Sequence, residues 1–169
     1  MTNIAQFSSY MFTEREKLFL ERAIHLSRQG MMDGHGGPFG CVIVKGDEIV
    51  GEGNNQVTAS NDPTAHAEVV AIRDACQKLN TFQLTGCEIY TSCEPCPMCL
   101  GAIYWARPLK VIFANTKDDA AAIAFDDDFI YKEINTLLAD RKIPFLHFPH
   151  PMAKDVFEQW KKLDNKTLY

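Results

Sequence analysis

No stretch of this 169-residue sequence approaches the roughly 20 consecutive apolar residues that a membrane-spanning helix needs, so an integral helical membrane protein is excluded. Basic residues are also scarce. Lys and Arg number 17 against 22 Asp and Glu, a formal net charge of −5. Sequence-independent nucleic-acid binding depends on cations that neutralise phosphates, so a small, uncharged or weakly charged ligand suits this chain better. Residues 1–12 have neither the basic start nor the apolar core of a secretory signal, and the expected compartment is the cytoplasm. Internal repeats, linkers and low-complexity segments are missing too. We therefore expect one domain over residues 13–169, preceded by an N-terminal arm, 1–12.

The chain does carry six cysteines, and in a reducing compartment metal binding or burial must explain them rather than disulfides. Three lie within seven residues, at Cys93, Cys96 and Cys99. Around them the pattern is that of alternating helices and strands. Thr13-Glu14-Arg15-Glu16 is a capping box that opens a helix, with Phe19, Ala23 and Leu26 at helical spacing. Gly30, Gly34, Gly36, Gly37 and Pro38 end it. Strands are predicted over Phe39–Val44 and Ile49–Gly53, paired antiparallel across a turn, then over Glu88–Ser92 and Lys110–Ala114. Between them a polar loop, Asn54–Pro63, leads to a helix from Thr64 to about Leu79, with Ala67, Val70, Ala71 and Ala75 inward. Pro95 and Pro97 bracket the start of the next helix, which runs to about Trp105, with Tyr104 and Trp105 expected to pack it on the sheet. Another polar loop, a helix near Phe129–Asp140, a proline-broken stretch and a last helix near Ala153–Leu163 complete the reading. This order predicts an α/β domain with a central mixed sheet flanked by helices.

Chemistry is carried by Pro63-Thr64-Ala65-His66-Ala67-Glu68 and, about thirty residues later, Pro95-Cys96-Pro97-Met98-Cys99. A catalytic zinc site uses three protein ligands drawn from imidazole nitrogen, thiolate sulfur and carboxylate oxygen. His66, Cys96 and Cys99 supply three, enough for one Zn2+ per chain. Cys96 and Cys99, three apart at a helix start, share a face there, and the helix N-terminus favours the thiolate. Glu68 is the candidate acid–base group, able to move protons to and from water. His66 and Glu68 are two apart, which on a regular helix would point them to different sides, so the first turn has to bring them together. The blander reading is a structural zinc site, which wants four protein ligands; Cys93 or His35 would then supply the fourth. Cys41, Cys76 and Cys87 read as small core residues, and His25, His35, His147 and His150 have no partner at ligand spacing.

With H-x-E and P-C-x-x-C in place, the chain resembles the cytidine deaminase-like superfamily of zinc deaminases. Gly37-Pro38-Phe39-Gly40, Asn54-Asn55, Ser60-Asn61-Asp62-Pro63, Ser92-Cys93-Glu94-Pro95, the run Gly101–Ala106 and Phe125-Asp126-Asp127 resemble in particular the small bacterial-type guanine deaminases. The likeness covers about residues 14–169, densely through Pro108 and more thinly beyond Lys142. It implies a three-layer cytidine deaminase-like fold and the zinc-dependent hydrolytic deamination of guanine, a purine base, with water as co-substrate. It also implies that Phe39 and Asn55 line the base pocket, with Ala67 among the substrate-binding residues. Asp127 would contact the substrate, although Asp126 or Asp128 is an alternative, and Tyr169 would help to close the site. Residues 145–169 would be exchanged between the subunits of a homodimer. Guanosine, cytosine and tRNA adenosine deaminases share the metal chemistry and remain open alternatives, as does a non-catalytic zinc module. The acidic balance argues against a nucleic-acid partner, and no membrane partner is expected.

Overall fold

The structure, a computed structural model, describes residues 10–168. They divide into two compact units, the first ending at Asp126 and the second beginning at Asp127. Among the described residues no helix is long and apolar enough to cross a membrane.

In the first unit α1 (Glu14–Met32) starts at the expected capping box: the Thr13 hydroxyl accepts from the Glu16 N–H, and the Glu16 carboxylate accepts from the Thr13 N–H. Four strands follow, β1 (Gly40–Lys45), β2 (Glu48–Asn54), β3 (Cys87–Cys93) and β4 (Lys110–Asn115), in sheet order β2-β1-β3-β4. β1 pairs antiparallel with β2 and with β3, while β3 and β4 run parallel. A parallel pair needs a crossover, and α4 (Pro97–Ala106) lies between its strands in the chain. The sheet is mixed, as the sequence predicts.

Period-two alternation sorts the strand residues onto two faces. Val42, Val44, Tyr90 and Ile112 pack with Ala23 and Leu26 of α1. Cys41, Ile43, Cys87 and Ile89 pack on the other side with Ala67, Ala71 and Ala75 of α3 (Ala67–Leu79) and with Ile103 and Ala106 of α4. The result is three layers, helix on sheet on helices. α3 lies so close to β2 that a Cβ at Gly53 would stand 2.4 Å from the Ala67 carbonyl oxygen, so only glycine lets this helix N-terminus reach the sheet.

Several sequence-derived expectations are corrected. The loop Asn54–Pro63 contains a short helix, α2 (Val57–Ser60), and the loop after β4 contains α5 (Lys117–Ala122), whose Thr116–Asp119 capping box is visible in the sequence. α3 begins at Ala67 rather than Thr64. Tyr104 and Trp105 do not pack on the sheet: Cys99, Ile103 and Ala106 form the buried face of α4, and the two aromatic side chains are turned out to exposures of 75% and 64%. In the second unit α6 (Asp128–Asn135) stops short of the expected Asp140, a separate 3₁₀ turn covers Leu138–Asp140, and α7 (Pro151–Lys162) starts at its proline. His150, which sequence reading left without a role, caps α7: its Nδ1 accepts from the Met152 N–H.

Candidate metal centre

Two helix N-termini build the centre. His66 is the residue before the first turn of α3, in extended conformation with φ −69° and ψ 154°, and Glu68 stands one residue inside that turn. This removes the spacing difficulty, because His66 does not follow the helical rotation. Cys96 has the same relation to α4, with φ −64° and ψ 167°; Pro97 follows it, and Cys99 lies in the first turn. Proline is accepted there because its missing N–H would have no intrahelical partner.

The ligating atoms of His66, Cys96 and Cys99 all lie within 4.8 Å of one another. His66 Nδ1 is 3.5 Å from Cys96 Sγ and 3.6 Å from Cys99 Sγ. Zinc bonds to sulfur and nitrogen at a tetrahedral angle would hold such donors about 3.6 Å apart. The donor chemistry and the spacing therefore fit a zinc ion. Neither Cys93 nor His35 joins the group among the described residues. The Cys93 thiol instead faces the Thr116 carbonyl oxygen at 3.5 Å, and its burial pushes it up to about 11.

Electrostatics match the donor role. The Cys96 thiol is pulled down to about 4, first by hydrogen bonding from Cys99 and then by His66, against the effect of burial. With a thiolate at Cys96, the neighbouring Cys99 thiol is held far up, and His66 is raised as well. The pair thus keeps one proton that a cation would displace.

Glu68 is buried, 6% exposed. Its Oε1 accepts from the Thr91 hydroxyl at 3.1 Å, and its Oε2 from the Cys99 thiol at 3.4 Å. Burial pushes this carboxyl up, and the hydrogen bonds only partly oppose it. A carboxyl so placed can take and return a proton beside the donor group.

Of the other expected site residues, Phe39 and Asn55 are neighbours, since the Asn55 N–H donates to the Phe39 carbonyl at 3.0 Å. Asn55 is buried, and its Oδ1 accepts from the Val57 N–H. A Cβ at Gly36 would stand 2.1 Å from that Oδ1, so Gly36 is what admits Asn55. The Phe39 ring meets Phe125 edge-on, 4.9 Å between centroids, a contact no sequence pattern announced. Ala67 is fully buried between His66 and Glu68. Asp127 precedes α6 in the second unit. Tyr169 lies outside the described residues. Thr91 escaped the sequence reading altogether. Its signal is a hydroxyl in the inward row Cys87, Ile89, Thr91, Cys93 of β3, where an apolar residue is the rule.

Residues 13–115 match the family described as the cytidine and deoxycytidylate deaminase zinc-binding region. The chain is 55% identical to a guanine deaminase of Bacillus subtilis over 151 residues, 89% of this chain and 97% of that one. It is 32% identical to a tRNA-specific adenosine deaminase of Aquifex aeolicus, over 90% and 99% of the two chains. An X-ray structure of guanine deaminase from Bacillus subtilis superposes with a TM-score of 0.89 at 52% identity, covering 94% of this chain and 99% of the other.

Proposed function

The chain belongs to the family of the cytidine and deoxycytidylate deaminase zinc-binding region, and from that premise we propose that it hydrolyses guanine to xanthine and ammonia. One observation carries the reading: a buried carboxyl, Glu68, set against a His/Cys/Cys donor group. His66, Cys96 and Cys99 hold one zinc ion, with the three protein ligands usual for a catalytic site. When bound, the metal supplies Lewis-acid activation of water at neutral pH. Glu68 takes one proton from the attacking water and passes it to a ring nitrogen, then takes the proton of the new C2 hydroxyl and passes it to the departing amine. A C2–O bond forms, the C2–N bond breaks, and ammonia leaves. A non-catalytic zinc module would have no use for Glu68.

Two relatives that match nearly their whole length act on different bases, so the metal centre does not choose the base. Guanine is favoured by the higher identity to the guanine deaminase and by the acidic net charge, which is unsuited to an RNA substrate. In this reading Phe39, Asn55 and Ala67 line the base pocket, Asp127 accepts from the N1–H or 2-amino edge of guanine, and Tyr169 helps to close the site. The protein works as a cytoplasmic homodimer in which residues 145–169 cover the partner's site. Supporting this, α6 and α7 have no buried residue, and Pro144, Pro149 and Pro151 interrupt the chain around the start of the segment. Exchange of a terminal element is a low-cost route to a dimer.

The test is ammonia release by the zinc-loaded protein from guanine, guanosine, adenine, cytosine and RNA. Guanine is expected to be turned over fastest. A faster rate on another substrate would overturn the base assignment, and no ammonia from any would overturn deamination.

A further inference from the structure

We infer that Thr91 is a positioning residue for Glu68: its hydroxyl fixes one carboxylate oxygen, Oε1, so that the other, Oε2, is the atom that carries the proton.

Alternate residues of β3 project to the face that packs on α3 and α4, and in that row Cys87 and Ile89 belong to the apolar core. Thr91 continues the row at 1% exposure. Valine has the same shape, favours strands equally and carries no hydroxyl to desolvate, so a purely structural position would be filled by it at less cost. Leaving a buried hydroxyl without a partner is unfavourable, and here the partner is the acid–base group itself.

Geometry separates the two oxygens of Glu68. Thr91 Oγ1 is 3.1 Å from Oε1, and its other acceptor, the Gly40 carbonyl, is more distant at 3.4 Å. Oε2 lies 3.4 Å from Cys99 Sγ, on the side of the donor group. The hydroxyl is itself held. β3 and β1 are paired at Cys41 and Thr91, and the next residue, Ser92, accepts from the Gly40 N–H at 3.0 Å. Thr91 therefore presents a fixed donor from the sheet to a side chain that comes down from the first turn of α3. Without that donor the carboxylate plane is free to turn about its last bond so that neither oxygen is held toward the donor group, and proton transfer depends on holding the group within hydrogen-bond reach of its target.

This rests on Glu68 being the proton carrier, and the experiment keeps the two claims apart. Zinc-loaded T91V, T91S, E68Q and T91V/E68Q are compared with the parent in guanine turnover, zinc content and thermal unfolding. A hydrogen bond to a charged group is worth about tenfold to a hundredfold in rate. We expect T91V to lose about that much kcat with KM within about threefold of the parent and with zinc content unchanged. T91S, which keeps the hydroxyl and loses a methyl, should restore kcat even if it unfolds earlier. On the E68Q background T91V should cost nothing further. If E68Q is inactive and T91V turns over like the parent, the positioning role is wrong and the Glu68 reading survives. If T91S is as slow as T91V, the loss is one of packing and the inference fails. If E68Q itself is near normal, the Glu68 reading falls, and this inference with it.

Discussion

His66 Nδ1 and Cys96 Sγ stand 3.5 Å apart although thirty residues separate them, because each residue sits immediately before the first turn of its own helix. α3 and α4 pack on one face of the sheet, and their N-termini meet at the same end of it. The positive ends of two helices then face one point, which favours thiolates and carboxylates there.

Removing either cysteine ligand should remove the metal. Cys96→Ala or Cys99→Ala is expected to lose most of its zinc and all measurable turnover, and a chelator should do the same to the parent. Metal analysis of purified protein should give about one zinc per chain. Full occupancy together with full activity in either variant would mean that the ligands have been misassigned.

Glu68→Gln keeps the shape and the metal donors but cannot carry a proton. Turnover should fall by a hundredfold to ten-thousandfold or more, the usual worth of general acid–base help being about that size. Zinc content should barely change. Near-normal rates would take Glu68 out of the chemistry.

A second ion-pair cluster, on the α1 side of the sheet, makes stability depend on pH. Glu16 is buried and bonded to Lys110, to the Tyr10 hydroxyl and to Thr13; Lys110 first, then Tyr10 and Thr13, hold its carboxyl down at about 2. A carboxyl lower in the folded than in the unfolded chain stabilises the fold fully above its ordinary value of 4.5, and the contribution is lost as pH falls from there towards 2. Glu16→Gln should therefore cost about 1–2 kcal/mol at pH 7. The gap between the two proteins in denaturant unfolding should shrink below pH 4.5, the metal contribution being common to both. A gap that stays constant across that range would show that Glu16 contributes packing rather than charge.

Asp127 should discriminate guanine from adenine, since a carboxylate can accept from the N1–H and 2-amino group of guanine, whereas adenine presents an unprotonated N1. Asp127→Ala is expected to raise KM for guanine or depress kcat by at least about tenfold, as loss of a hydrogen bond to a charged group does. Asp126→Ala and Asp128→Ala are the controls. Unaltered guanine kinetics in the Asp127 variant would transfer the contact to a neighbour or end the claim.

The terminal residues test the lid. Deleting Leu168 and Tyr169 should lower guanine turnover clearly with zinc retained, because a closed site excludes water and strengthens the polar contacts inside it. A frayed end would change nothing. Mixing and refolding a Glu68→Gln chain with a tail-deleted chain then asks whether the tail acts in trans. Mixed dimers should regain activity at one site, and recovery no better than either parent would rule out the exchange.

Short-range signals account for much of what could be read in advance. Capping chemistry placed α1, since the Thr13 and Glu16 partners are three residues apart, and the apolar run Phe39–Val44 placed β1. The donor set was legible because zinc tolerates few residue types, and His66, Cys96 and Cys99 are three of them at compatible spacing. By itself the sequence determined the metal and the layered α/β plan, and it marked Glu68 as the candidate acid–base group. Tertiary structure decided what depends on direction rather than on type. It took His66 out of the helical rotation that on a regular helix separates residues two apart, because the cap residue keeps extended angles. It turned Tyr104 and Trp105 outward, because the sheet accepts only the face of α4 marked by Cys99, Ile103 and Ala106. And it brought Thr91 under Glu68, because strand pairing and helix packing bring together residues 23 positions apart, which no local pattern records.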